Sequence, residues 1–130
     1  MLKKRIIFTL HYDKGFFNLS RNFRLQKIGD LNWLLKNYNF LKIAESIDEL
    51  IIIDVSRDNR EHDKFLENVS EITKNIFVPV CLGGGIRTLE YAKKLFESGA
   101  DKINLNTSLF HDPSLVDEIS KTYGAHNWTY

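Results

Sequence analysis

The chain has 130 residues, 43% hydrophobic and 27% charged, the composition of one soluble globular domain able to bury a core without disulfide or metal staples. Eighteen basic against seventeen acidic residues leave a formal net charge of +1, which argues against a general electrostatic attraction to nucleic acid or to an anionic membrane. The N-terminal MLKKRIIFTLHYD starts basic, but its apolar run stops after six residues, too short for a signal peptide or a membrane span, and the single cysteine, Cys81, fits a reducing compartment, the cytoplasm.

Four apolar runs follow one another, each succeeded by a helical pattern. Residues 5–10 (RIIFTL) read as a strand, followed by an aromatic-rich insert, 12–29, that reads as irregular. Asp30 is placed to cap a helix carrying Leu31, Leu34 and Leu35. Residues 50–55 (LIIIDV) form the second run, then the polar loop SRDNRE, then a helix with Phe65, Leu66, Val69 and Ile72 on one face. The third run, 78–82, precedes a helix over 88–97 aligning Leu89, Ala92, Leu95 and Phe96, which Gly99 ends. The fourth, 102–105, leads to Asp112-Pro113, an N-cap with proline in the first turn, and to Leu115, Val116 and Ile119, closed by Gly124.

These runs are continuously apolar rather than alternating, as strands of a parallel sheet covered by helices are. The last three start near 49, 78 and 102, about one βα unit apart. The expected fold is therefore α/β, a single (βα)4 domain over residues 1–130, either a small open sheet or half of an eight-stranded (βα)8 barrel.

In both architectures ligands bind at the carboxyl ends of the strands. The polar clusters all map to that rim: His11-Tyr12-Asp13, then Asp54 and Ser56, then the triglycine Gly83-Gly84-Gly85, then Asn106-Thr107-Ser108. Gly84 and Gly85 can reach positive φ and let an anion approach their amides, with Asn106 and Thr107 adding donors from the next strand end, so a phosphate site is expected. A strand-to-helix turn that merely needs flexibility would use the same glycines. Neither GxGxxG nor a Walker A sequence is present, so dinucleotides and nucleoside triphosphates are disfavoured, and no metal or cofactor is expected.

MLKKRII, IDELIIIDV, GGGIRTLEYAKKLFESGADKINLNT and DPSLVDEIS closely resemble the N-terminal half of the cyclase subunit of imidazole glycerol phosphate synthase, over residues 1 to about 123. The resemblance implies a (βα)8 barrel of histidine biosynthesis that takes ammonia from a partner glutaminase and acts on a bis-phosphorylated ribonucleotide. It implies that Gly85, Asn106 and Thr107 form one of two phosphate sites, and that Arg5, Glu49 and Lys102 belong to a charged ring gating ammonia at the opposite rim. The chain is about half the family's barrel and stops at HNWTY, where strand five begins in the family.

Catalysis is where the pattern departs. The family's strand-one carboxylate aligns with His11, and a family lysine aligns with Leu19, while Asn22 is kept. Histidine exchanges protons near neutral pH, and Asp54 matches a family acid, so His11 and Asp54 are the catalytic candidates, Asp54 having an equal claim as a partner of loop backbone. Full cyclase activity is not expected. The loop FFNLSRNFRLQKIGD and the replaced acid look more like a paralogous branch linked to amidation of surface-polysaccharide sugars. Four strands curved as a half-barrel would leave two open edges and an apolar concave face, for which a homodimer is the simplest cure. Three classes remain open: a catalytically silent, phosphate-binding half-barrel that self-associates, a cyclase or ammonia-delivery subunit working with a glutaminase, and a remnant that only folds and dimerises.

Overall fold

The computed structural model describes residues 4–21, 24–37, 42, 45–74, 76–105, 112–124 and 128–129. In chain order the elements are β1 (Ile7–Asp13), β2 (Phe16–Arg21), β3 (Arg24–Asp30), α1 (Leu31–Asn37), β4 (Glu49–Asp54), α2 (His62–Thr73), β5 (Val80–Gly83), α3 (Leu89–Glu97), β6 (Lys102–Asn104), α4 (Pro113–Tyr123) and β7 (Trp128–Thr129). They build one seven-stranded sheet of order β3-β2-β1-β4-β5-β6-β7. From β1 through β4, β5 and β6 to β7 every pairing is parallel.

The strand residues in the core are Leu10 and Tyr12, Leu50 and Ile52, Val80 and Leu82, and Ile103. Because successive strand residues point to opposite faces, this set marks one face only. Against it pack Leu34 of α1, Phe65, Val69 and Ile72 of α2, Leu95 of α3 and Ile119 of α4. Helices from all four βα connections thus cover the same face, the arrangement of a (βα)8-type barrel, whereas a doubly wound sheet splits its helices between two faces. Burial of each such aliphatic side chain contributes about 1.5–3 kcal/mol. The opposite face carries Thr9 and His11 of β1, Ile51 and Ile53 of β4, and Cys81 of β5, most of them only half-buried.

Asp30 and Asp112 cap their helices as the sequence suggests, and Thr88, read there as the first helical residue, is instead an N-cap. Asp30 Oδ1 accepts from the Trp33 amide at 2.9 Å, Thr88 Oγ1 from Tyr91 at 3.1 Å and Asp112 Oδ1 from Leu115 at 3.2 Å. The insert after β1 is not irregular. It is an antiparallel hairpin, β2–β3, that extends the sheet beyond β1. Asp13 pairs with Phe16, so the turn is Lys14-Gly15, with φ of 46° and 94°. Two positive φ values in a two-residue loop give the turn whose twist matches that of the flanking strands. Phe17 enters the core from this hairpin and meets the Tyr12 ring edge-on at 5.4 Å.

HNWTY does start a fifth parallel strand, since Trp128 and Thr129 pair with Ile103 and Asn104. The strands expected to be edges, β1 and β6, are therefore both paired within the chain, and β3 and β7 are the outer ones. Among the described residues no helix is long and apolar enough to cross a membrane.

Candidate functional site

At the carboxyl ends of the parallel strands, β1 presents His11 and Tyr12 and β4 presents Asp54. In register His11 lies opposite Ile53 and Tyr12 opposite Asp54. His11 and Asp54 thus belong to opposite faces, and the structure does not join them by a hydrogen bond. His11 Nδ1 is buried without a partner, and burial lowers the imidazole pKa below its ordinary value. Asp54 is 1% exposed. Its Oδ1 accepts from the Ser56 amide at 3.0 Å, whereas Oδ2 is buried with no partner. One oxygen therefore organises the loop and the other does not. Ser56 continues the same bracing, its Oγ accepting from the Lys14 amide at 3.1 Å.

The triglycine turn is shaped by what lies against it. Gly84 has φ of 98° and Gly85 of 69°, both left-handed. A Cβ on Gly84 would fall on the backbone carbonyl of Asp54, and a Cβ on Gly85 on the guanidinium of Arg60. Glycine is thus required twice over, by backbone conformation and by close approach. Asn106, Thr107 and Asn22 lie outside the described residues. Leu19, where the resemblance places a lysine, packs at the edge of the core from β2.

Arg60 and Tyr91 complete this rim, and the sequence reading passed over both. Arg60, in the β4–α2 loop, donates from Nε to the Ser56 carbonyl at 2.6 Å. Tyr91, in the first turn of α3, has a buried hydroxyl without a partner and stacks on His62 at 4.1 Å between ring centroids. Burial, then the charge of Asp54, push the Tyr91 phenol far above its ordinary pKa, while Arg60 opposes them. Arg60 was visible only as one charge in a polar loop; nothing local says it folds back on Gly85.

At the opposite rim Arg5 Nη2 meets Glu49 Oε2 at 3.3 Å, Glu49 being largely buried and Arg5 exposed. Lys102 shares their surroundings. Burial, then the charge of Glu49, raise the Cys81 thiol to about 11, and Lys102 pulls it back. Glu49 and Lys102 thus both act on Cys81, and Arg5 reaches Glu49 from the exposed side. Among the described residues no group of three or more His, Cys, Asp or Glu side chains could hold a metal ion.

The family model described as histidine biosynthesis protein matches residues 26–129. The chain belongs to the histidine biosynthesis protein family. The match takes in Glu49, Asp54, Arg60, Gly84, Gly85 and Lys102, while Arg5 and His11 precede it. Within the family, a Parasynechococcus marenigrum protein provisionally named imidazole glycerol phosphate synthase subunit hisF2 is 57% identical over 124 residues, 95% of this chain and 46% of that protein. The imidazole glycerol phosphate synthase subunit HisF of Staphylococcus carnosus is 38% identical over 126 residues, 96% of this chain and 48% of its own. That of Campylobacter jejuni is 38% identical over 125 residues, 95% and 48% respectively. The chain spans about half the length of the curated relatives it matches.

Proposed function

We propose that this chain is a phosphate-binding unit of the imidazole glycerol phosphate synthase cyclase type, holding a phosphorylated small molecule at the carboxyl ends of its strands without performing the full cyclase reaction. The observation that carries the reading is the turn after β5. Gly84 and Gly85 both stand in the left-handed conformation at the rim where barrel enzymes bind ligands. Successive amides in such a turn form a concave nest of donors suited to an anion. Asn106 and Thr107, two and three residues beyond β6, are close enough in sequence to add donors from the neighbouring strand end. The loss of cyclase chemistry rests on His11, an imidazole where the resemblance places a carboxylate and one with no hydrogen-bond partner at Nδ1 to orient it. Amide chemical shifts under titration with inorganic phosphate and glycerol 3-phosphate test the reading. Saturable shifts centred on Gly84 and Gly85 are expected; none at tens of millimolar would remove it.

Self-association belongs to the same proposal. Ile7 is 48% exposed, and the half-buried Ile51 and Ile53 stand on the sheet face away from the helices. A second copy laid on that face would cover it. Light scattering should give a concentration-stable dimer, and a monomer at all concentrations would withdraw this part.

A second reading, delivery of ammonia in company with a glutaminase and the second half of a barrel, is favoured by the Arg5–Glu49 ion pair and by Glu49 and Lys102 beside Cys81. Stimulation of a glutaminase by this chain, lost in Glu49→Gln, would support it. Failure to bind one would set it aside.

A further inference from the structure

We propose that Arg60 is an anion-binding residue of this rim, its guanidinium closing on a phosphate monoester held at Gly85; the inference rests on the phosphate-binding reading above. Three observations carry it. First, Arg60 is placed, not dangling: Nε is committed to the Ser56 carbonyl at 2.6 Å, and the Nη1 end lies against the α-carbon of Gly85, where no side chain fits. Glycine at 85 therefore makes room for the guanidinium as well as for the turn.

Second, Arg60 has no carboxylate partner among the described residues, whereas the lysines of the groove it lines are paired. A groove of about 890 Å³ opens between the starts of α2 and α3, lined by three cations, Arg60, Lys64 and Lys94, and by four carboxylates. Lys64 pairs with Glu61 at 3.7 Å and Lys94 with Glu90 at 4.0 Å. Among the described residues no carboxylate lies within 4 Å of a nitrogen of Arg60. With Nε engaged, the terminal nitrogens keep planar N–H donors, the geometry that grips a phosphate through two oxygens.

Third, the surroundings are built and left unfinished. Asp54 Oδ2 and Tyr91 OH are buried without partners beside the same turn. The three cations of the groove face four carboxylates, so the net charge offered to an anion is small. Binding then depends on directed N–H donors more than on bulk attraction, and its salt dependence should be shallow.

The rival role for Arg60 is structural, a brace on the Ser56 loop. Arg60→Gln can keep a bond to the Ser56 carbonyl while removing the guanidinium, and Arg60→Lys keeps charge without the fork. Titration of wild type and both variants with inorganic phosphate and glycerol 3-phosphate should show affinity falling roughly tenfold to a hundredfold in Arg60→Gln. Arg60→Lys should recover part of it, with melting temperatures close to wild type. In wild-type protein, phosphate should protect Arg60 from phenylglyoxal, as mapped by mass spectrometry, a readout independent of any variant's folding. Phosphate binding unchanged in Arg60→Gln, or Arg60 labelled equally fast with and without phosphate, overturns the assignment and leaves the glycine site standing. No binding by wild type removes the phosphate reading itself, and Arg60's role with it.

Discussion

The two rims of the parallel sheet use similar residue types and finish them in opposite ways. At the N-terminal rim, Asp48 Oδ2 accepts from the Ile6 amide at 2.7 Å, Asp101 Oδ2 from the Val80 amide at 2.8 Å, and Glu49 meets Arg5. At the C-terminal rim, His11 Nδ1, Asp54 Oδ2 and Tyr91 OH have no partner; among the described residues these are the buried side-chain N and O atoms left so. Unsatisfied buried polar atoms are costly and rare, and a fold that gathers them at one end concentrates its strain there. The difference separates a rim whose buried polar groups are paired from one where several are not, and five experiments can break or sharpen it.

The largest effect is expected from Gly84→Ala. A left-handed φ of 98° and a Cβ on the Asp54 carbonyl should together cost about 3–4 kcal/mol, read as a lower urea midpoint. A near-neutral Gly84→Ala would mean that the turn is merely flexible. Next comes the Cys81 thiol. Raised to about 11, it should hold about a hundredfold less thiolate at pH 8 than an ordinary thiol and react slowly with a disulfide reagent until the chain unfolds. Rapid labelling of the folded protein would show the N-terminal rim to be open rather than sealed.

Asp101→Ala removes an acceptor from the Val80 amide and should cost about 1 kcal/mol while leaving phosphate affinity unchanged. A change in affinity would blur the distinction between the rims. Tyr91→Phe deletes a buried hydroxyl that bonds to nothing, so stability should stay level or rise by up to about 1 kcal/mol. A clear loss would show that the hydroxyl is satisfied, for instance by bound water.

The smallest effect concerns His11. Burial lowers its folded pKa below the unfolded value near 6.5, so the unfolded chain takes up the proton first. The stability linked to neutral His11 is present above that value and is lost as pH falls through it toward the folded pKa. Wild type should therefore lose slightly more stability than His11→Gln between about pH 7.5 and about pH 5.5. Parallel pH profiles would mean that the imidazole is effectively solvated.

Much of the fold is legible in the sequence because its causes are local. Continuous β-branched runs, caps at Asp30 and Asp112, and the 3.6-residue spacing of Phe65, Val69 and Ile72 act within a turn or two of chain. The hairpin was missed although DKGF contains its turn: Lys14 is not a customary left-handed residue, and the bulge between Phe17 and Asn18 breaks the alternation that marks a strand. For the site, positions at the strand ends could be read off, but their partners could not. His11 and Asp54 both read as strand-end candidates, and strand register sets them on opposite faces.

By itself the sequence determined the order of the βα units, the placement of polar residues at the C-terminal rim and the family, since each is written in patterns a few residues long. Only the tertiary structure decided that the four described helices cover one sheet face, that Asp54 satisfies one oxygen and not the other, and that Arg60 lies against Gly85. Those outcomes depend on which distant atoms arrive next to a given group, and burial makes that company decisive for the group's charge and hydrogen bonding.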